Sequence, residues 1–200
     1  MADDPSGGLP PLSVPTAADV PVATDSVRSG PDLDPALLRL LPLLGTWRGA
    51  GKGSDVDGTD YDFGQQMRFT HDGRALLSYE SVTWQLDAIG QAGSVLSRER
   101  GIWRPRPEEP DGIEVLLVHD EGFAEVSVGT VAGTRFELRS DVLARTRTAP
   151  EIAAVHRLFG LVEGDLLYAW DRSTAAAPEL TPYMSARLRR VSDALQVANS

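Results

Sequence analysis

The nine residues Gly45-Thr46-Trp47-Arg48-Gly49-Ala50-Gly51-Lys52-Gly53 admit two opposed structures, a phosphate-cradling loop or a glycine-rich strand. The loop fails on spacing. Gly45 stands one residue too far from Gly51 for a P-loop, and Gly53 occupies the place where Ser or Thr would hold magnesium. Gly49-Ala50-Gly51 does not continue to a third glycine at dinucleotide-binding spacing, and no βαβ unit surrounds it. The stretch reads instead as a first barrel strand, whose glycines permit bulging and close backbone approach while Trp47 plugs one end.

Downstream, short runs with period-two alternation are separated by turn signals such as Asp57-Gly58, Asp72-Gly73, Asp111-Gly112, Glu121-Gly122 and Gly164-Asp165. About ten strands follow from this pattern, at 46–54, 61–71, 74–85, 95–105, 112–119, 122–130, 134–141, 151–162, 165–172 and 182–192. Sequential hairpins of this kind fit an all-β, ten-stranded, up-and-down antiparallel barrel, because closure removes the exposed edges of such a sheet; a sandwich is the alternative. A barrel of eight or more strands has room for a small ligand lined by its inward side chains.

Upstream, Asp34 reads as an N-cap with Pro35 at the first helical position, and Leu37, Leu38, Leu40 and Leu41 form an apolar stripe that Gly45 ends. One short N-terminal helix is expected there, with Pro42 damaging its last turn. Residues 1–33 carry five aspartates against Arg28 alone and show no periodicity, which predicts a disordered acidic tail ahead of a barrel domain spanning 34–200.

Composition narrows the function classes. The 200 residues suffice for one domain with a substantial core, and the absence of cysteine removes disulfides, zinc thiolate sites and thiol nucleophiles. A formal net charge of -10 has the wrong sign for a nucleic-acid partner. Neither a signal peptide nor a run of eighteen apolar residues is present, so the expectation is a soluble, cytoplasmic protein without a membrane partner. The oligomeric state is left open.

Three blocks, in order, carry a resemblance. Gly45, Trp47, Gly49 and Gly51 match the Gly-x-Trp-x-Gly-x-Gly motif that opens the barrel of nitrobindins. Phe69-Thr70-His71-Asp72-Gly73-Arg74-Ala75-Leu76-Leu77-Ser78-Tyr79 is similar to that family's Phe-x-His-x-Gly-Lys-Pro-Phe-Leu-x-Tyr block, and Glu99-Arg100-Gly101-Ile102-Trp103-Arg104 resembles its Glu-x-Gly-Tyr-x-Arg strand. The final stretch, Pro178 to Leu188, resembles the family's Pro-Leu-x-x-His-Leu-x-Ala-x-Leu terminus. The resemblance spans about residues 34 to 192. It implies a barrel of the lipocalin and fatty-acid-binding-protein kind holding haem b, with ferric iron bound by a histidine of the last strand, reaction with nitric oxide, and isomerisation of peroxynitrite to nitrate.

The chain departs from the family at that histidine. Tyr183 stands at the position of the axial ligand, and Pro150 lies near the position of a haem-contacting lysine. Tyrosine ligates ferric haem in catalase, but as phenolate, and a phenol with a pKa of about 10 needs a nearby cation or donor for that. Arg187, four residues along the strand, is the candidate cation. Met184, Ala186 and Leu188 form the apolar set of the strand, whereas Tyr183 shares parity with Ser185, Arg187 and Arg189, which puts it at the barrel mouth.

The remaining chemistry is sparse. His71, His119 and His156 fall on separate strands or turns without metal-ligand spacing and read as structural, His71 as a strand-end hydrogen-bonding residue. No Gly-x-Ser-x-Gly elbow occurs, and Glu80 and Glu99, though on strands, are read as exposed and assigned no catalysis. No catalytic residue and no metal ligand beyond Tyr183 is expected. The sequence thus predicts a binding protein for a small apolar or planar ligand, with haem binding impaired or lost and no cofactor of its own. The alternative is a ferric haem protein using Tyr183 or another ligand, with nitric oxide binding or peroxynitrite isomerase activity.

Overall fold

A computed structural model describes residues 22–54 and 58–191. From Gly45 onward the alternating pattern forms ten antiparallel strands: β1 (Gly45–Ser54), β2 (Asp60–Thr70), β3 (Leu77–Leu86), β4 (Ala92–Pro105), β5 (Gly112–His119), β6 (Phe123–Ala132), β7 (Arg135–Arg145), β8 (Ala154–Val162), β9 (Asp165–Ser173) and β10 (Thr181–Arg190). Each pairs with its neighbours in sequence, and β1 pairs with β10 to close the barrel. The ten expected strands are all present. Their ends move by a few residues, most at β3 and β8, which begin three residues later than expected, at β4, which begins three earlier, and at β7, which runs on to Arg145. The Asp-Gly and Glu-Gly signals act as read: Gly73 and Gly122 adopt φ of 88° and 93°, where a side chain would be strained.

The seam between β1 and β10 explains the glycines of the opening strand. Gly49 pairs with Leu188 and Gly51 with Ala186, and Gly51 also pairs with Phe63 on the other side. A methyl group at Gly51 would overlap the Ser185 carbonyl oxygen, the Phe63 ring and the Ala186 methyl. The absence of side chains here lets the last strand approach closely enough to complete the ladder.

The expected helix is instead two 3-10 turns, Pro35–Arg39 and Leu41–Leu43. Asp34 caps the first as predicted, its carboxylate accepting from the Ala36 amide at 2.8 Å. Pro42 offers no amide hydrogen and its ring obstructs the preceding turn, so no α-helix propagates. Leu37, Leu40 and Leu43 recur every third residue, the 3-10 repeat, and all are completely buried beneath the barrel. The Trp47 indole donates to the Leu43 carbonyl at 2.8 Å and is stacked by the Arg190 guanidinium at 4.1 Å. This end of the barrel is thereby plugged by Trp47, as the sequence suggested.

Residues 1–21 of the acidic stretch lie outside the described residues. Within the remainder, Thr24 exchanges two backbone hydrogen bonds of 2.8 Å with His71, and the Asp25 carboxylate accepts from the Thr46 hydroxyl. Among the described residues no helix is long and apolar enough to cross a membrane.

Candidate functional site

The inward face of the strands changes character along the barrel axis. At the plugged end it is apolar: Trp47, Phe69, Trp103, Phe136, Phe159, Leu166 and Leu188 are buried together. Trp103 is the hub, meeting Phe69 at 5.6 Å and Phe159 at 5.2 Å in edge-to-face geometry. Above this layer a belt of polar side chains crosses the lumen.

Arg157 of β8 forms the belt's centre. Only 1% exposed, it donates to Glu99 of β4 at 3.0 Å and Glu125 of β6 at 2.9 Å. Tyr79 donates its hydroxyl to Glu99 at 2.9 Å, and Ser127 donates to Glu125 at 2.6 Å. His119 lies between the two carboxylates, with Nδ1 3.4 Å from Glu99 and Nε2 3.6 Å from Glu125, and stacks on Phe123 at 3.8 Å. Burial works against the ionised form of Glu125, but Arg157, His119 and Ser127 outweigh it and hold the carboxyl at about 2. Burial, reinforced by the Glu99 carboxylate, pushes the Tyr79 phenol well above its ordinary value. The belt therefore holds the Glu125 carboxylate and the Arg157 guanidinium in the charged state.

The other end of the barrel is the mouth, and a β-bulge shapes it. The register between β9 and β10 shifts between Pro182 and Met184, so Tyr183 falls at the irregularity and leaves the strict alternation. Its ring meets the edge of Trp170 at 4.8 Å, and the Arg172 guanidinium lies 3.4 Å from the ring centroid. Trp170 in turn carries the Arg157 guanidinium on its face at 3.9 Å, linking mouth to belt. Glu121, at the β5–β6 turn, is raised in pKa chiefly by burial, with Arg172 and His119 pulling the other way. A cavity of about 130 Å³ opens beside Tyr183, lined by Ser54, Arg172, Ser173, Thr174, Ala177, Thr181 and Pro182.

The sequence-predicted residues separate accordingly. Gly45, Trp47, Gly49 and Gly51 belong to the plug and the seam. Tyr183 lies beside the cavity of the mouth, at the bulge that takes it out of the alternation of β10. Arg187 does not support it: that side chain is on the outer wall, bound to Asp165 at 2.6 Å. Pro150 is exposed in the β7–β8 loop beside buried Ala149. His71 is buried at the plugged end with Nε2 3.4 Å from the Ser26 carbonyl oxygen. His156 sits between Glu137 at 3.1 Å and Asp171 at 3.2 Å. Glu80 is an exposed partner of Arg100, whereas Glu99, read as exposed, is 5% exposed. Glu99 is buried because it shares the inward parity of Trp103.

Arg157, Glu125, Trp170 and Arg172 were not singled out from sequence. The signal was there: Arg157 lies between Val155 and Phe159 in the inward phase of β8, and Glu125 follows Phe123 in the inward phase of β6. A charge in the apolar phase of a strand is the mark of a buried pair. The donor set bears on haem directly: His156 is bound through both ring nitrogens, His71 Nδ1 and His119 Nε2 are buried without a hydrogen-bond partner among the described residues, and the Tyr183 ring is stacked by a cation. Among the described residues, no group of three or more His, Cys, Asp or Glu side chains is placed to hold a metal ion.

Residues 36–190 match the family model of the THAP4-like, heme-binding beta-barrel domain. A peroxynitrite isomerase of Mycobacteroides abscessus is 44% identical over 187 residues, covering 89% of this chain and 90% of that protein. A ferric nitrobindin-like protein of Kineococcus radiotolerans is 47% identical over 171 residues, covering 78% and 94%. The crystal structure of Rv2717c from M. tuberculosis has a TM-score of 0.70 and 30% identity, covering 80% of this chain and 100% of that one.

Proposed function

The chain belongs to the nitrobindin family of haem-binding β-barrels, and on that premise we propose that it is a nitrobindin-like binding protein whose haem binding is impaired or lost. Tyr183 stands at the position that the resemblance gives to the family's iron-ligating histidine. The observation that carries the reading is the packing of this ring, with Arg172 3.4 Å from its centroid and the Trp170 edge at 4.8 Å. An axial ligand has to present a lone pair to the iron, whereas this side chain is held by its ring. The histidines are held elsewhere: His119 is buried in the belt beside Glu99 and Glu125, with Nε2 making no hydrogen bond, His71 is buried at the far end, and His156 is bound by Glu137 and Asp171. The residues present do not fit a haem iron, and no haem-dependent step is assigned to them.

The ligand of the barrel mouth is accordingly a small molecule other than haem, and efficient peroxynitrite isomerisation is not expected. A second reading has one observation in its favour, because a cation beside a phenol favours the phenolate that ferric iron needs. In that reading Tyr183 ligates ferric haem and the chain retains nitric oxide or peroxynitrite chemistry.

Titration of the purified chain with ferric haem distinguishes the two. The proposed function predicts no saturable Soret absorbance at one haem per chain, and a gain of such absorbance in Tyr183→His. Stoichiometric binding by the natural chain, with a phenolate charge-transfer band that disappears in Tyr183→Phe, would overturn it.

A further inference from the structure

Among the arginines of the described residues, Arg157 is buried and Arg106 and Arg172 are half-buried. Arg106 binds Glu109 and Glu114, and Arg157 binds Glu99 and Glu125. Arg172 forms no ion pair with any described residue, and its guanidinium donates no hydrogen bond to one. A half-buried guanidinium has lost part of its hydration and carries five N–H donors that need acceptors. In a chain of net charge -10 this is not for want of carboxylates. Glu121 lies close enough to feel Arg172 electrostatically yet does not reach ion-pair distance, and Asp171, the adjacent acid, is turned outward to His156.

The position of Arg172 is fixed from two sides. Tyr183 supports its face, and the Thr181 hydroxyl ties its backbone carbonyl at 3.3 Å. Arg172 lines the 130 Å³ cavity of the mouth together with the hydroxyl-bearing Ser54, Ser173, Thr174 and Thr181. Thr174 Oγ1 already accepts from the Ala177 amide at 3.1 Å, so its own hydrogen remains to be donated. A cavity of this size holds about four waters at roughly 30 Å³ each, which suits a group of three or four heavy atoms.

We propose that this cavity is a binding site for a small planar oxyanion, a carboxylate- or nitrate-type group, gripped by the edge of the Arg172 guanidinium and by the hydroxyls of Ser54, Ser173 and Thr174. The fork of a guanidinium matches two oxygens of such a group, and a single cation in so small a space selects a monoanion. This names the ligand class of the mouth and rests on the reading of that mouth as a binding site. The oxyanion is either a free ion or the head of a longer ligand.

The test is a titration of the full chain with acetate, nitrate and octanoate at constant ionic strength, with chloride as control, following the backbone amide resonances of Ser173 and Thr174, which line the cavity, by NMR. Saturable shifts at one anion per chain are expected, weakened about tenfold or more in Arg172→Gln and partly retained in Arg172→Lys. Octanoate binding more tightly than acetate identifies a head group, and equal affinity a free ion; both support the site. Shifts no larger than those of chloride, or equal affinity in the wild type and both variants, overturn it. Those results leave the haem titration untouched, and stoichiometric haem binding would overturn the proposed function without bearing on anion affinity.

Discussion

Removing Arg157 leaves Glu99 and Glu125 buried in one lumen without a counter-charge. The geometry explains why the pair of carboxylates is tolerated at all: the guanidinium reaches both at 3.0 and 2.9 Å, and Tyr79 and Ser127 satisfy further lone pairs. A buried triad of this kind adds little over apolar packing, but breaking it is expensive. Arg157→Met is therefore expected to destabilise the barrel by about 3–5 kcal/mol in denaturant unfolding at neutral pH. Adding Glu99→Gln and Glu125→Gln in the same chain should recover much of the loss. A single-variant effect below about 1 kcal/mol would show that the belt is hydrated and not a desolvated triad.

At the scale of elements, the seam between β1 and β10 is where closure is decided. Gly51→Ala places a methyl on the Ser185 carbonyl and the Phe63 ring, so either β10 retreats or the ladder breaks. A loss of about 1–3 kcal/mol is expected, read as a lower Tm in a thermal melt. Gly160→Ala in β8 is the matched control, since a methyl there meets nothing within 4 Å, and it should stay within about 0.5 kcal/mol of the natural chain. Equal effects at both positions would mean that strand propensity and not the close approach of β10 sets the cost. The two 3-10 turns and the bulge at Tyr183 do the same kind of work by departing from regular structure, the turns placing buried Leu37 and Leu43 and the bulge placing half-buried Tyr183.

For the whole molecule, the belt ties acid stability to one carboxyl in particular. Glu125 is held at about 2 in the folded barrel against an ordinary 4.5, so the native state favours its ionised form. Its contribution is full above pH 4.5 and is lost as the pH falls toward 2, because the unfolded chain takes up the proton first. The drop corresponds to about 3 kcal/mol at about 1.4 kcal/mol per pH unit. Equilibrium unfolding from pH 6 to pH 2 should show this loss, and Glu125→Gln should flatten that limb while lowering stability at neutral pH. An unchanged acid limb in the variant would place the titrating group elsewhere.

Read alone, the sequence determined the class of fold, the number and order of strands, the Asp34 cap and the plug by Trp47, because period-two alternation, turn glycines and caps are local constraints that residues impose on their neighbours. The position of Tyr183 was not legible in the parity of β10, because a bulge takes it out of the alternation that parity assumes. The belt was decided only in three dimensions: Arg157 is 58 residues from Glu99 and 32 from Glu125, and only barrel closure turns those inward phases toward one lumen. Arg172 beside Tyr183 is the same case, since a bulge shifts the register that parity assumes, and Arg187, four residues along, consequently faces the outer wall. Local pattern specified which face each side chain takes, and tertiary closure specified which other face it meets.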